Sequence, residues 1–276
     1  MNFSLYDDLI DPIPSYLVVR RAVLGASWAA VTTDEGAGVA MRLDTVSRPS
    51  ELPEDLSGLS LRTLASAAKS WNLADASLGV AAINAFYNSA GGVEKSFGPP
   101  PNPAVFSRDQ ADPFQRYREL ARGRRVAAIG HFSALDTFIA PVCDLSIIEQ
   151  HPRPGDYPDS ASEYLLGEQE MVFITGCTLA NKTLPRLLEL SRGAFVVLVG
   201  PSTTMAPQLF EYGVLSLSGS MFPDPQVCVD VATGGNHGKM IKTGVKLSYQ
   251  APTADSWVGR FETAPAWTLG LTTRIS

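Results

Sequence analysis

Arg125-Val126-Ala127-Ala128-Ile129-Gly130-His131-Phe132, Leu145-Ser146-Ile147-Ile148-Glu149, Val172-Phe173-Ile174-Thr175-Gly176 and Val196-Val197-Leu198-Val199-Gly200-Pro201-Ser202-Thr203 are four apolar runs, each closing on a short polar loop. Continuous β-branched runs of this length are buried on both faces, which predicts a parallel sheet covered by helices. Ligands of such sheets bind at the carboxyl ends of the strands. That edge would gather His131, Glu149, Thr175 and Ser202. The runs therefore predict an α/β fold with a small-ligand site.

Working outward, a helix from about Pro113 leads into Arg125, and strand and helix alternate from there. This order predicts a Rossmann-like parallel-sheet domain over residues 113–248. Upstream, residues 1–90 have another rhythm. Trp28–Thr32 and Val39–Leu43 flank Asp34-Glu35-Gly36-Ala37-Gly38, a hairpin signal, with Val18–Leu24 as a preceding strand. Helical patterns follow, one capped by Ser60 and one over Leu73–Tyr87. Such a meander followed by helices is a smaller α+β unit. Residues 91–112, with Gly91-Gly92 and Gly98-Pro99-Pro100-Pro101-Asn102-Pro103, read as a Gly/Pro-rich linker. Residues 249–276 lack a clear period and read as a tail of uncertain order.

Composition narrows the function classes. The 276 residues are 45% hydrophobic and 18% charged, as in an ordinary globular protein. A net charge of −6 and a pI near 5.1 argue against a nucleic-acid partner. The acidic start lacks a signal peptide's basic and apolar regions, and no apolar run is long enough to cross a bilayer. Cys143, Cys177 and Cys228 are widely spaced in apolar surroundings, the pattern of reduced thiols. The expectation is a cytoplasmic protein with no membrane partner; the oligomeric state stays open.

Several loops carry candidate chemistry. His131 offers acid–base or metal-ligand chemistry at a strand end, against the alternative of a loop histidine bonded to backbone. Gly130 stands alone where a dinucleotide site shows three glycines, and bulky Phe132 disfavours ordinary NAD binding. Glu149 ends the second strand, the place of a ribose-binding carboxylate or, with His131, of a metal ligand. His151 and Asp156 follow in a turn-rich loop near Glu149, where they suit a hard metal or polar substrate, with a plain surface loop as the first reading. Thr175, Asn181 and Thr183 occupy a hydroxyl- and amide-rich turn suited to an anion or to helix capping. Gly200, Ser202 and Thr203 form the sharpest local signal, a tight exit whose hydroxyls suit a phosphate or carboxylate. It lacks the Gly-Lys-Ser/Thr of a nucleotide-triphosphate loop. Asn84 and Tyr87, about one helical turn apart, would close the cleft from the other unit.

Gly25-x-x-Trp28-x-Ala30-Val31, Ser70-Trp71-Asn72, Ser77 to Ala85, Ile129-Gly130-His131-Phe132, Ile148-Glu149, Ile174-Thr175-Gly176, Asn181-Lys182-Thr183, Gly200-Pro201-Ser202-Thr203 and Gly234-Gly235 form an ordered set over residues 15–247. Together they resemble a bacterial and archaeal family described as "putative heavy-metal chelation". Ser133 and Thr204 stand where that family usually has proline. The resemblance implies an enolase N-terminal-like domain, a Rossmann-like domain, a site between them and a role in handling heavy metals. The first expectation is thus a metal ion, metal chelate or small anionic metabolite bound in the interdomain cleft. The alternatives are a transferase whose adenosyl cofactor is held by Glu149, and a non-catalytic partner subunit of a metal-uptake or cofactor-assembly system.

Overall fold

The computed structural model describes residues 2–44, 48–99, 112–235 and 237–257, His237 by its backbone alone. After α1 (Ser4–Ile10), β1 (Arg21–Leu24), β2 (Trp28–Thr32) and β3 (Ala37–Met41) form an antiparallel sheet in that order. The hairpin pairs Trp28 with Met41 and Thr32 with Ala37. α2 (Leu61–Ser66) and α3 (Leu73–Tyr87) follow. Asn72 starts α3 by accepting from the amides of Ala74 and Asp75. Helix α3 is buried on nearly every side, which its small residues Ala74, Ala76, Gly79, Ala81, Ala82 and Ala85 permit.

α4 (Ala90–Phe97) occupies much of the expected linker. Residues 91–97 are helical despite Gly91-Gly92, because Ser89 accepts from the Gly92 amide, Val93 is buried and Phe97 stacks on Tyr249 at 4.2 Å. Residues 100–111 of that expected linker lie outside the described residues.

The second sheet is built from β4 (Arg125–Ile129), β5 (Asp144–Glu149), β6 (Tyr157–Pro158), β7 (Met171–Thr175), β8 (Phe195–Val199), β9 (Ser216–Met221) and β10 (Val245–Gln250), interleaved with the short helices α5 (Pro113–Arg116), α6 (Arg118–Ala121), α7 (Ser162–Leu165), α8 (Leu184–Leu190), α9 (Pro225–Thr233) and α10 (His237–Thr243). Its strands run in the order β10-β9-β8-β7-β4-β5-β6, all parallel except β10. The chain therefore has the expected α/β fold class, a mostly parallel sheet beside a separate antiparallel one. A π-helical turn, Leu135–Ile139, stands where a longer crossover helix follows β4 in the simple alternating pattern.

Two-residue periodicity assigns the core. Val172 and Ile174 of β7 join an apolar cluster that runs from Leu5 to Leu247, while Met171 and Phe173 face Phe114, Leu135, Phe195 and Trp257 on the other side. The small sheet is likewise covered twice. Ala29, Val31 and Ala40 pack with α3, and Trp28, Ala30 and Val39 pack with Cys228 and Val231 of α9. Full burial of β2 follows from that double cover. The expected tail is ordered at its start: β10 reaches Gln250, and Trp257 is buried edge-on against Phe195 at 5.0 Å. Residues 258–276 lie outside the described residues. Among the described residues, no helix is long and apolar enough to cross a membrane.

Candidate ligand cavity at the carboxyl edge

Because β4, β5, β7 and β8 are parallel neighbours, their carboxyl ends fall on one edge. β5 lies on one side of β4 and β7 on the other, so the chain reverses its direction of winding there. Such a switch point leaves a crevice outside the strand ends. A cavity of about 900 Å³ opens at this edge, and its lining includes His131, Glu149, Thr175, Asn181, Thr183, Gly200 and Ser202 together with Trp28, Met41 and Leu43 from the small sheet and its exit. Gly176 lets the β7 and β8 loops meet, since a Cβ there would lie 2.4 Å from the Thr203 nitrogen.

His131 follows Gly130, whose φ of 103° turns the chain out of β4. Its Nδ1 lies 3.0 and 2.9 Å from the two Asp156 carboxylate oxygens, and the Asp156 side chain is only 4% exposed. Burial alone would raise the Asp156 carboxyl, but the hydrogen bonds from His131 and the Arg153 amide, with the nearby positive charge, hold it below its ordinary value. The brace orients the ring and leaves Nε2 on the far side, 3.8 Å from the exposed Asp136 carboxylate. In sequence, Asp156 has the setting of a surface-loop residue. Its role depends on a contact between the β4 and β5 loops, across a sequence separation of 25, for which no local pattern is a signal.

Glu149 has both carboxylate oxygens engaged by backbone. Oε2 accepts from the His131 amide at 3.0 Å and Oε1 from the Gln150 amide at 2.8 Å. It binds the two loops together at the cavity wall. Thr175 accepts from the Cys177 amide at 3.4 Å. The Cys177 thiol donates to Ser202 at 3.7 Å, and burial, reinforced by the Glu149 charge, raises its pKa despite its hydrogen bonds. Asn181 Oδ1 accepts from both the amide and the hydroxyl of Thr183, at 3.1 and 2.6 Å.

The Gly200–Thr204 loop is built differently from its sequence appearance. Ser202, Thr203 and Thr204 are buried. The Ser202 hydroxyl accepts from the Met41 amide at 2.8 Å, and Thr204 donates to Asn84 at 2.6 Å. The Thr203 hydroxyl is buried without a hydrogen-bond partner among the described residues. Asn84 does not line the cavity. Its Nδ2 donates to the carbonyls of Val39 and Ser202 at 2.8 and 3.1 Å, clamping the β8 loop to the small sheet. Tyr87 is also outside the lining: it is buried, accepts from Gln208 at 3.2 Å, and burial raises its phenol pKa. His151 is exposed.

The donor set does not fit an ion held wholly by protein. Among the described residues, no three His, Cys, Asp or Glu side chains converge so as to hold a metal. His131 Nε2 is a single oriented donor, and the Glu149 oxygens already serve amides.

These features define an α/β protein with a ligand-sized cavity at the topological switch point of its parallel sheet. Two family signatures, both described as putative heavy-metal chelation, match residues 6–87 and 112–251. The chain belongs to this heavy-metal chelation family. It is similar to a crystal structure of unknown function from Desulfitobacterium hafniense, with 38% identity, a TM-score of 0.81, and coverage of 90% of this chain and 98% of that one. A Pyrococcus horikoshii structure of unknown function shares the fold, with a TM-score of 0.70 at 18% identity over 90% of this chain and 98% of that one. An uncharacterized Methanocaldococcus jannaschii protein is 28% identical over 195 residues, 68% of this chain and 70% of that protein.

Proposed function

We propose that residues 1–90 and 113–248 act as two domains around a cavity that holds a small anionic organic ligand, a metal chelate foremost. The observation that carries this reading is the mismatch between a cavity of about 900 Å³ and the lack, among the described residues, of a converging metal-ligand set. A bare cation needs several donors within bonding distance, whereas volumes of roughly 300–1,000 Å³ suit organic ligands. A chelate brings most of its own donors. His131 is then a lone imidazole donor, its Nδ1 braced by Asp156 as metal-binding histidines commonly are. The family's description as heavy-metal chelation agrees with metal carried in this form.

The transferase reading retains one point in its favour, the placement of Glu149 at the end of the strand beside β4. One titration series with the full chain separates the readings. The ligands are Co(II)–nitrilotriacetate, free Co(II), citrate and S-adenosylmethionine, followed by calorimetry and native mass spectrometry. Stoichiometric binding of the chelate, with free Co(II) at least tenfold weaker, is the expected result. Tight binding of free Co(II) without the chelate would overturn it, and binding of S-adenosylmethionine alone would favour the transferase.

A further inference from the structure

Lys182 is the only non-glycine residue with positive φ among the described residues, at 67°. That conformation costs an L-residue energy, and such strain concentrates where side-chain direction matters. The paired hydrogen bonds from Thr183 to Asn181 Oδ1 close the turn around it. Lys182 lines the cavity; its Nζ donates to the Ala180 carbonyl at 2.8 Å and stands 5.7 Å from the centroid of the Trp71 ring, which is itself outside the lining. Trp71, 48% exposed, is one of the few large hydrophobic side chains left open to solvent.

Two other basic residues near this wall have carboxylate partners, while the exposed Arg153, which also lines the cavity, gives only its backbone amide to Asp156. Lys246 pairs with Asp112 at 3.0 Å, and Arg186 pairs with Glu163 and Glu189 at 2.6 and 3.0 Å. Lys182 has no carboxylate within ion-pair distance among the described residues, although it is only partly exposed. Its partial burial pushes the amine down to about 8, the direction expected for a cation lacking a counter-charge. An unpaired cation held by a strained turn against an aromatic face is a preformed half of an ion pair.

We propose that Lys182, on the cavity wall, forms the subsite for an anionic arm of the ligand, a carboxylate or phosphate held by the ammonium, with Trp71 just outside the lining flanking that ammonium and meeting the part of the ligand that projects past it. This rests on the cavity reading above and adds the group that is recognised and the residues that recognise it. The remaining Nζ protons and the Asn181 side-chain amide supply donors for the anionic oxygens.

The test titrates Co(II)–nitrilotriacetate and, separately, inorganic phosphate into the full chain. Wild type is compared with Lys182→Met, Lys182→Arg and Trp71→Ala, using calorimetry and indole fluorescence. Lys182→Met should weaken chelate binding at least tenfold, Lys182→Arg less than threefold and Trp71→Ala about threefold to tenfold. Phosphate should compete with the chelate if the subsite takes both anions, and fail to compete if it is restricted to carboxylates. Lys182→Gly relaxes the strained φ, so lost binding in a variant that melts no lower than wild type excludes misfolding as the cause. Chelate affinity within twofold of wild type in both Lys182→Met and Lys182→Gly would overturn the subsite and leave the cavity reading standing. Failure of wild type to bind the chelate would overturn both.

Discussion

The loops after β4 and β8 look alike in sequence and are used in opposite ways. Each leaves its strand through a glycine of positive φ, 103° at Gly130 and 101° at Gly200, and continues with polar side chains at the same sheet edge. Beyond Gly130, His131 reaches Asp156 through Nδ1 and stays partly exposed on the cavity wall. Beyond Gly200, three hydroxyl residues are buried, and Asn84 and Asn88 of the first unit bind the loop's carbonyls. The difference lies in what covers each loop. The end of α3 packs over Ser202–Thr204 and takes up polar groups of the β8 exit, which still borders the crevice at Gly200 and Ser202, whereas His131 at the β4 exit keeps part of its surface open to it. A hydroxyl-rich strand end is therefore no index of ligand contact until its third-dimension neighbours are known.

The largest effect that would break this contrast belongs to the buried loop. Asn88 donates to the carbonyls of Thr203 and Ser220 and accepts from the Met205 amide, all within 3.1 Å. Asn88→Ala leaves these groups unpaired in the interior and should lower unfolding free energy by about 3 kcal/mol in urea titrations. Chelate affinity of the folded protein should stay within twofold; a tenfold loss would mean that the β8 loop serves binding after all.

The open loop should respond in the reverse sense. His131→Ala is expected to weaken Co(II)–nitrilotriacetate binding at least tenfold, about 1.4 kcal/mol, with a smaller stability change than Asn88→Ala. Unaltered affinity would make His131 a structural brace for Asp156. Lys182→Gly should raise unfolding free energy by about 1 kcal/mol, because glycine removes the left-handed strain at a modest entropic cost. A destabilised variant would show that the Lys182 contacts outweigh that strain.

The smallest expected effect is at acid pH. The folded Asp156 carboxyl titrates below its ordinary value, so its stabilisation is present above the unfolded value and is lost as pH falls through the lower folded one. Wild type should therefore lose stability more steeply below pH about 4 than Asp156→Asn. Parallel acid profiles for the two proteins would remove Asp156 from the account of the His131 brace.

Much of the fold was legible because it depends on local pattern. The continuous apolar runs marked β4, β7 and β8, and the helical spacing of Leu78, Ala81, Ala82, Ala85 and Phe86 marked α3 over about Leu73 to Tyr87, its observed bounds. The candidate edge was legible too, since parallel strands carry their exits to one side. Less legible were segments whose state depends on a distant surface. Gly91-Gly92 became helical under Ser89 capping and Phe97–Tyr249 stacking, and Trp257 was drawn into the core by Phe195.

By itself, the sequence determined the alternation of elements, the parallel sheet and the set of polar residues at its carboxyl edge, because periodicity and strand direction are properties of the chain. The tertiary structure alone decided which of those residues remain available. Asn84, Thr203 and Thr204 were buried in a clamp, both Glu149 oxygens went to backbone amides, and Asp156, Lys182 and Trp71 gained importance through neighbours remote in sequence. The physical reason is that a polar group's role depends on whether its hydrogen-bonding capacity and its charge are already met, which only packing in three dimensions determines.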